Sequence, residues 1–577
     1  MALKPRLDSK VVEGETLTTW LNSSGTSYNE TIVVIKGDGD YNASITPAYA
    51  LPTWLYYQPQ SVVYPNKNEE LVEFVQKMAR KSISPIGGTH SSFGYAFSGA
   101  DAAVSLRNMA KVGPIDEDNL ELTVQAGALL EDVINFLNGT GYMTATGACP
   151  TVGVSGWHLG GGYSMFSKKL GLGADNVKSM RVLLPNATEV DASPSSNPDL
   201  FWAMRGAGHQ SFGWLTSLTI GLLPLETFVY INLETKCTQA NMKSCAQTMY
   251  TWQRFYYENS TVVESDLSMY YWFFEPLLDG SQDWKITFTF AYLNDGREAL
   301  LEMQHILSPF IAFLKSTGSY NDTGYKIAPF DEYSKLKDAT TPDSVVQPLY
   351  EAKVGLYLKR DMRLIDWEVF VDVWMNQFPA YRSANLGIEP YATIVAFESY
   401  TGAITDKPSN FNGHFQRADT LGDLMIDLFV YEDPQPGVSQ GVENAWDSAI
   451  AFLESLYREF SDGKPALFDE ILYKHNGIFQ AYVNYRFAPY GAGNSTERWP
   501  ALQTYYGGNL CRLCEVKKMY DPQMLFDFPQ GIPVAAPERE CTGNSILYSS
   551  SSSCSYCSNF ILFSSVSIVL LRAILSW

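Results

Sequence analysis

Two short segments each place one nucleophilic side chain among glycines and other small residues. His90 lies in Pro85-Ile86-Gly87-Gly88-Thr89-His90-Ser91, and Cys149 begins Cys149-Pro150-Thr151-Val152-Gly153-Val154. Imidazole and thiolate are good soft nucleophiles, and both can form a covalent bond to an electrophilic carbon. The residue types at these two places therefore suggest a pair of attachment points.

Two glycine runs accompany these segments. Gly160-Gly161-Gly162 follows the Cys149 segment, and Gly206-Ala207-Gly208 lies further along. Backbone without Cβ atoms can approach a phosphate closely and offer it N–H groups. Neither run matches the GxGxxG nicotinamide fingerprint or a P-loop, so glycine content alone predicts tight turns at least as well as a ligand site.

The composition is that of a globular protein with an acidic surface. Hydrophobic residues make up 46% of the 577 residues and charged residues 18%, and the formal charge is −21. Such a charge disfavours nucleic acid and anionic membranes as partners. Aromatic residues reach 14%, which predicts either an aromatic core or a site for flat or sugar-like ligands.

Cysteines and glycosylation sequons bear on the compartment. Of eight cysteines, Cys237 with Cys245 and Cys511 with Cys514 are plausible local pairs, although connectivity cannot be read from sequence. Eight Asn-x-Ser/Thr sequons favour a secreted or extracellular glycoprotein. They begin at Asn22, Asn29, Asn42, Asn138, Asn186, Asn259, Asn321 and Asn494.

The two ends of the chain carry weaker signals. The first residues show no apolar stretch of the signal-peptide type. The last part is a serine run followed by an apolar segment, residues 560–577, which is short for a membrane span and interrupted by Arg572. We interpret it as a tail rather than a membrane attachment, although a membrane or lipid-anchor signal stays open.

Periodicity predicts the elements that must position these groups. Helical spacing is seen over 69–81, 129–137, 298–313 and 445–460, and strand patterns over 120–127, 180–185, 215–223, 269–274, 284–290 and 393–400. Helices and strands alternate up to about residue 224, after which long alternating strands dominate. A change of domain is therefore expected near residue 225.

The blocks quoted above, in this order and at these intervals, resemble the berberine bridge enzyme-like and oligosaccharide oxidase branch of the vanillyl-alcohol oxidase flavoproteins. The resemblance covers about residues 62–224 and 481–533. Other matching blocks are Asp175-Asn176-Val177, Asp199 to Gly206, Tyr482-Val483-Asn484-Tyr485 and Tyr505 to Leu510. It implies an α+β, two-domain fold, in which a PCMH-type FAD-binding domain is covered by an antiparallel-sheet substrate domain.

The implied domain organisation follows from this resemblance and from the periodicity. We expect an N-terminal lead-in over 1–55, the FAD-binding domain over 56–225 and a substrate-binding domain over 226–485. Residues 486–535 then return to the FAD domain, and 536–577 form the tail.

The resemblance implies FAD held by two covalent bonds, one from His90 to the 8α-methyl group and one from Cys149 to carbon 6 of the ring. Val152 aligns with a position where valine goes with oxidases, which implies oxygen as electron acceptor and hydrogen peroxide as product. No metal is implied. The remaining cofactor-binding residues that it implies are Gly87, Gly88, Thr89, Ser91, Gly153, Gly156, Gly160, Gly161, Gly162, Tyr163, Asn176, Val177 and Asn509.

Two further residues are implied as catalytic. Tyr485 matches the base that takes the proton from a substrate hydroxyl, for which its pKa of ~10 must be lowered by its surroundings. If residues 482–486 form a strand, Tyr485 and Arg486 point to opposite faces. Glu398 falls where carbohydrate-oxidising relatives place an acid that orients this base; a solvated strand carboxylate is the alternative.

The expected function is an FAD-dependent oxidase that removes hydride from an alcohol or a sugar hemiacetal carbon. Its partners are then a small-molecule substrate and oxygen. Thr89 replaces a usual glycine, and Ser92 stands where the sugar oxidases carry tyrosine. A tailoring oxidase of secondary metabolism therefore stays open, as does a glycoprotein that carries flavin without turnover.

Overall fold

In the part of the chain that the structure describes, three larger β-sheets, two two-stranded pairs and the helices around them position the residues discussed above. The computed structural model describes residues 32–45, 58–78, 82–91, 94–99, 101–277, 281, 283–294, 296–329, 350–379, 391–430, 455–456, 468, 471–475, 478–479, 495–528, 530–536 and 541. Residues 1–535 belong to one compact unit and residues 536–577 to a second.

The first sheet has four strands in the order β1-β2-β4-β3. The strands are β1 (Ile32–Ile35), β2 (Ser61–Tyr64), β3 (Ile83–Ile86) and β4 (Ala102–Ser105). β1 pairs antiparallel with β2, whereas β2 and β3 both run parallel to β4. The β-branched run of β1 thus belongs to this sheet, so the region that the sequence predicts as a loose lead-in over 1–55 contributes a strand.

The second sheet has five antiparallel strands in the order β5-β6-β10-β8-β9. They are β5 (Val112–Asp116), β6 (Glu121–Gln125), β8 (Val177–Leu183), β9 (Glu189–Ala192) and β10 (Trp214–Gly221). Along β6 the alternation that predicts a strand is confirmed, because Leu122 and Val124 are buried. A short pair, β7 (Tyr142–Met143) with β11 (Leu223–Pro224), lies outside this sheet.

The third sheet has eight strands and is antiparallel throughout. Seven strands follow the order β15-β12-β14-β13-β18-β19-β17, and β16 pairs with β12. They are β12 (Thr227–Cys237), β13 (Leu267–Pro276), β14 (Trp284–Leu293), β15 (Tyr320–Asp322), β16 (Lys326–Pro329), β17 (Tyr350–Lys359), β18 (Tyr391–Ser399) and β19 (Thr420–Val430). A separate pair joins β20 (Lys474–His475) to β21 (Ile478–Phe479).

The α-helices of the described residues lie between and after these strands. They are α1 (Tyr41–Ser44), α2 (Asn68–Lys77), α3 (Leu130–Leu137), α4 (Val154–Leu159), α5 (Ser167–Leu170), α6 (Pro198–Ala207), α7 (Met242–Glu258), α8 (Ser260–Glu264), α9 (Gly296–Ser316), α10 (Leu364–Asp372), α11 (Ser495–Tyr506) and α12 (Leu510–Tyr520). The predicted helices at 69–81, 129–137 and 298–313 are confirmed as α2, α3 and α9. The helix predicted at 445–460 lies outside the described residues except for 455–456.

One face of the eight-stranded sheet packs against helices and holds much of the aromatic content. Trp252 of α7 contacts the rings of Trp272, Phe288 and Phe397 from three strands and of Trp367 from α10. Because side chains alternate along a strand, the residues between these aromatic positions point to the opposite face. The aromatic residues on this side form part of the hydrophobic core. The opposite face carries the polar side chains described below.

The cysteines follow the sequence expectation only in part. Cys237 and Cys245 form a disulfide, as predicted. The predicted pair of Cys511 with Cys514 is wrong, because Cys511 is disulfide-bonded while Cys514 is a free, buried thiol. Both cysteines lie near the start of α12, where residues three apart lie on the same side of the helix. Cys514 is nevertheless buried in the core. Across the described residues we find no helix with the length and apolarity that a membrane crossing requires.

Candidate active site

The loop that carries His90 begins where β3 ends. β3 closes with the buried Ile86, and the chain continues through Gly87 to Ser91 with half-buried residues. His90 itself is half-buried. The imidazole thus lies at the carboxyl end of a strand of the first sheet, a usual position for a ligand-binding loop.

Cys149 lies in a turn that is tied to helix α3. It is a free, half-buried thiol, and its carbonyl accepts from the N–H of Val152 at 3.2 Å. The carbonyl of Val152 in turn accepts from the N–H of Leu130, the first residue of α3, at 2.9 Å. The thiol is therefore held on a fixed turn with access from outside.

The two loops meet at a pair of glycines. A Cβ atom added to Gly88 would come closer than 3.0 Å to the backbone nitrogen of Gly153, and one added to Gly153 would come equally close to that of Gly88. Only glycine at both positions permits this backbone contact. Because Gly88 is two residues from His90 and Gly153 four from Cys149, the contact brings both predicted attachment points to one part of the molecule.

Thr89, next to His90, has a strained backbone. Its φ is +53°, in the left-handed region that β-branched residues rarely adopt. The family that the sequence resembles usually has glycine at this position. Thr89 therefore adopts a backbone conformation that glycine would adopt without strain, at a cost in conformational free energy. Such strained residues are typical of functional loops.

The glycine run after α4 forms a second fixed turn. Gly160 ends the helix, and Gly161 and Gly162 have φ of +118° and +80°. A Cβ atom on Gly162 would collide with the indole ring of Trp157. Since the same ring also fills the space at Gly173, Trp157 packs against the loop backbone itself and shapes this turn.

Gly156 differs from the other glycines of this region. It is exposed, and a Cβ atom there would meet nothing within 4 Å. The backbone around it is nevertheless fixed, because Nε2 of His209 lies 2.9 Å from its carbonyl oxygen. Helix α4 thus presents a bare backbone surface at this position.

Three predicted cofactor residues have clear structural contacts. Asn176 donates to the carbonyls of Leu170 and Leu172 at 3.2 and 3.4 Å, which closes the turn before β8. Val177 is buried in β8. Asn509 donates to the carbonyl of Ser409 at 2.8 Å and to that of Asn412 at 3.1 Å, so it fixes a loop between β18 and β19. A direct cofactor contact of these residues stays a prediction.

Tyr163 lies between the glycine run and the eight-stranded sheet. Its hydroxyl donates to the carbonyl of Met269 at 3.2 Å, and its ring stacks with those of Tyr270 and Tyr400. Burial raises the pKa of this phenol well above its ordinary value, and the nearby Tyr256 and Glu398 add to the effect. Tyr163 therefore stays neutral and joins the glycine run to the eight-stranded sheet.

Glu398 is a buried residue of β18, on the sheet face opposite the aromatic core. It is 2% exposed, which excludes the alternative of a solvated carboxylate. The hydroxyl of Tyr271 in β13 donates to its Oε1 at 3.1 Å. Glu398 is therefore a buried acid held in place by the phenol of Tyr271, and its role in orienting Tyr485 stays a prediction.

Asp423 stands directly across from Glu398. The two residues are register partners in the pairing of β18 with β19, and Asp423 is fully buried. Burial raises the pKa of Asp423 well above its ordinary value, and the neighbouring Glu398 and Asp427 raise it further, whereas Lys353 acts in the opposite direction. The sequence analysis missed Asp423, although the acids at 423 and 427 alternate with apolar residues along β19 and mark one polar face.

Further polar groups share this sheet face. Thr287 and Thr289 of β14 and Asn232 of β12 are buried, and the side-chain oxygen of each has no hydrogen-bond partner in the described structure. Buried polar atoms without partners are costly unless a ligand or water meets them. The face that carries Glu398 is therefore built to receive polar groups.

A buried ion pair joins the loop before β19 to the turn before β8 of the second sheet. Arg417 donates from both terminal nitrogens to the two oxygens of Asp175, at 2.9 and 3.1 Å, and both side chains are at most 1% exposed. Burial would raise the pKa of Asp175, but the charge and hydrogen bonds of Arg417 outweigh it, so the pKa is lowered. This pair fixes the sheet that carries Glu398 against the segment of Asn176.

The other predicted site residues are not described. Tyr485, the proposed base, and Ser92 lie outside the described residues, as does the strand predicted at 482–486. The segment that follows is described. There Lys517 of α12 is fully buried and donates to the carbonyl of Ser211 at 2.5 Å and to Asp521 at 2.6 Å. Helix α12 thus lies against the loop before β10.

The residues present fit a flavin dinucleotide. The Gly88–Gly153 contact places a half-buried imidazole and a half-buried thiol on adjoining loops. The exposed backbone at Gly156 lets a flat or phosphorylated group approach closely. The buried polar face around Glu398 belongs to a different sheet from these loops.

Comparison with known protein families agrees with this geometry. Residues 59–193 match the model of an FAD binding domain, and residues 481–533 match that of berberine and berberine-like proteins. The two matched regions contain both proposed attachment points and Tyr485.

Individual relatives extend the match to most of the chain. FAD-linked oxidoreductase dpmaF of Metarhizium anisopliae is 32% identical over 570 residues, which cover 92% of this chain and 96% of that protein. Xylooligosaccharide oxidase of Thermothelomyces thermophilus is 26% identical and covers 83% and 88%. The match to FAD-linked oxidoreductase iacH of Pestalotiopsis fici is 34% identical but spans only 30% of this chain and 38% of that protein.

A solved structure gives the same fold. The glucooligosaccharide oxidase of Acremonium strictum, whose structure is described as revealing a novel flavinylation, has a TM-score of 0.68 at 18% identity, over 88% of this chain and 97% of that one. The chain therefore belongs to the berberine bridge enzyme-like and oligosaccharide oxidase family and is an FAD-linked oxidoreductase. The α+β fold and FAD-linked oxidoreductase chemistry predicted from the sequence are confirmed.

Proposed function

We propose that the protein is an FAD-dependent oxidase that removes hydride from an alcohol or a sugar hemiacetal carbon and reduces oxygen to hydrogen peroxide. The observation that carries this proposal is the Gly88–Gly153 contact, which puts the His90 and Cys149 loops side by side. The buried polar face around Glu398 provides a place for a hydroxyl-bearing substrate.

The cofactor is proposed to be held by His90 and Cys149 through two covalent bonds. Bound FAD supplies the acceptor for the hydride and passes the electrons to oxygen. The half-buried Val152 belongs to the same turn as Cys149, so it borders the proposed cofactor site and is suited to set the access of oxygen. Because the glycines of both loops have no Cβ atoms, they leave room for the isoalloxazine ring beside the backbone.

Proton removal is assigned to Tyr485, with Glu398 as the residue that orients it. A phenol with a pKa of ~10 needs help to accept a proton near neutrality, which the surroundings must supply. Glu398 is buried and already accepts from Tyr271, so it is held in one orientation. Substrate hydroxyls would form hydrogen bonds with the side-chain hydroxyls of Thr287 and Thr289 on the same face, which have no partner in the described structure.

The domain division and the compartment are also proposals. We assign residues 56–225 and 486–535, together with strand β1, to the FAD domain and residues 226–485 to the substrate domain. Secretion as a glycoprotein is supported by the four sequon asparagines whose exposure is described, because Asn138, Asn186, Asn259 and Asn321 are all exposed. A disulfide at Cys237–Cys245 is typical of an oxidising compartment.

Denaturation of the purified protein tests the attachment. Flavin absorbance should stay with the unfolded chain of the wild type and of the single variants His90→Ala and Cys149→Ala, and it should be lost from the double variant. Cys514→Ala and His305→Ala are matched controls, because the first changes the other free thiol and the second an exposed helix residue. Release of all flavin from the wild type would refute covalent attachment.

A substrate panel tests the reaction. Peroxide formation is measured with neutral oligosaccharides, with apolar aromatic alcohols and without substrate. Turnover of oligosaccharides supports the hemiacetal oxidase, and turnover of aromatic alcohols alone favours the tailoring oxidase. Flavin that is reduced by a substrate but not reoxidised by oxygen would identify a dehydrogenase instead.

A further inference from the structure

Three strands place Tyr357, Asp423 and Glu398 in one row across the polar sheet face. Tyr357 of β17 is the register partner of Asp423, and Asp423 is that of Glu398. Side chains directly opposite each other on antiparallel strands have Cβ atoms about 4.5–5.5 Å apart. Two carboxyl groups therefore face each other inside the protein at short range.

Asp423 is not satisfied by the protein itself. Both of its carboxyl oxygens are buried, and neither has a hydrogen-bond partner in the described structure. An ionised carboxylate in such a place would lack the donors that stabilise it, and a like charge opposite would repel it. The site thus favours the neutral acid at position 423.

The other charged and titratable groups on the face do not reverse this balance. Lys353 of β17 lies 3.2 Å from Asp427, its register partner, so this cation is already paired. Tyr271 of β13 donates to Glu398, which stabilises the charge on that residue and not on Asp423. Tyr357 adds a phenol to the row, and a phenol ordinarily carries no charge near neutral pH.

We propose that Asp423 and Glu398 carry one negative charge between them, with Asp423 as a neutral acid that offers its hydroxyl and carbonyl to a substrate hydroxyl. The proposal rests on the proposed function in that the substrate binds this sheet face. It makes Asp423 a further substrate-contacting residue and makes the ionisation of Glu398 depend on it. Loss of the second proton at high pH puts two charges on the face and ends productive binding.

Infrared spectroscopy of the holoenzyme tests the shared proton without any substrate. The carbonyl stretch of a protonated carboxylic acid should be present in the wild type above the pH at which ordinary acids are ionised, and it should disappear in Asp423→Asn. The exposed Asp361→Asn makes the same chemical change elsewhere and should leave the band in place. A wild-type spectrum without such a band, or one that Asp423→Asn retains, would overturn the proposal even if the enzyme turns over.

The pH dependence of flavin reduction tests the consequence. Asn has the shape and neutrality of the protonated acid but donates through N–H instead of O–H, so Asp423→Asn should fold and, at low pH, reduce flavin more slowly than the wild type but faster than Asp423→Leu. In Asp423→Asn the fall in flavin-reduction rate at high pH should shift upward by at least about one pH unit or vanish, because only one of the two coupled carboxyl groups remains. Asp423→Leu should lose substrate-dependent reduction at every pH. An alkaline limb that is the same in wild type and Asp423→Asn contradicts the coupling.

Discussion

Gly88 and Gly153 touch through their backbones, and this contact sets two loops that are about sixty residues apart in sequence against each other. His90 extends from one loop and Cys149 from the other. The contact leaves no room for a Cβ atom at Gly88 or at Gly153. The distance between the His90 and Cys149 loops therefore depends on glycine at both positions.

Gly153→Ala should separate the loops and reduce covalent flavin. The added Cβ would meet the backbone of Gly88, which cannot move aside as a flexible side chain could. We expect a variant that retains less flavin after denaturation, measured from the absorbance of the unfolded chain. Gly39→Ala, where a Cβ atom meets nothing within 4 Å, is the control. Full bicovalent flavin in Gly153→Ala would show that the contact is dispensable.

Tyr485→Phe should keep the flavin and slow its reduction. Loss of a positioned proton acceptor costs about 10²–10⁴-fold in rate. Anaerobic rapid mixing with substrate measures this step apart from reoxidation. Tyr505→Phe changes another tyrosine of the C-terminal segment and should have a far smaller effect. Equal reduction rates in Tyr485→Phe and wild type would remove this residue from the mechanism.

Arg417→Ala should destabilise the fold strongly. It leaves Asp175 buried without its bidentate partner, and removal of one member of a buried pair costs about 3–5 kcal/mol. Denaturant unfolding followed by fluorescence gives the difference. Arg254→Ala breaks an exposed, solvent-screened pair with Glu258 and should cost far less. Similar losses in both variants would mean that the buried pair has no special role.

Asp423→Asn should become increasingly more stable than the wild type as the pH rises. Burial, and then Glu398, raise the pKa of Asp423 in the folded state above its unfolded value of ~3.9, so the folded state binds more protons between these two values. The wild type therefore loses stability as the pH rises through this window, and the variant does not. Melting temperatures from about pH 4 upward, with Asp361→Asn as reference, measure the divergence; parallel curves would contradict it.

Thr89→Gly should stabilise the His90 loop. A β-branched residue at φ +53° costs on the order of 1–3 kcal/mol, which glycine avoids. We expect a gain near the lower end of that range in denaturant unfolding. Thr123→Gly, in the middle of β6, should instead destabilise, because glycine weakens a strand interior. A loss of stability in Thr89→Gly would show that contacts of the threonine side chain outweigh the backbone strain.

Much of this protein can be predicted from the sequence because its signals are local. The glycine-flanked His90 and Cys149, the alternation along β6 and β14 and the helical spacing of α9 depend on neighbours within a few residues. The blocks around them carry the family resemblance. Fold class, cofactor and reaction class follow from these.

The relationships between distant segments needed the tertiary structure. Cys514 points into the core although its spacing from Cys511 suits a pair, and β1 joins the first sheet from a region that the sequence predicts as a lead-in. Asp423 becomes important only because strand register puts it opposite Glu398. Register, burial and the meeting of two loops depend on packing between residues far apart in the chain, and no local pattern encodes them.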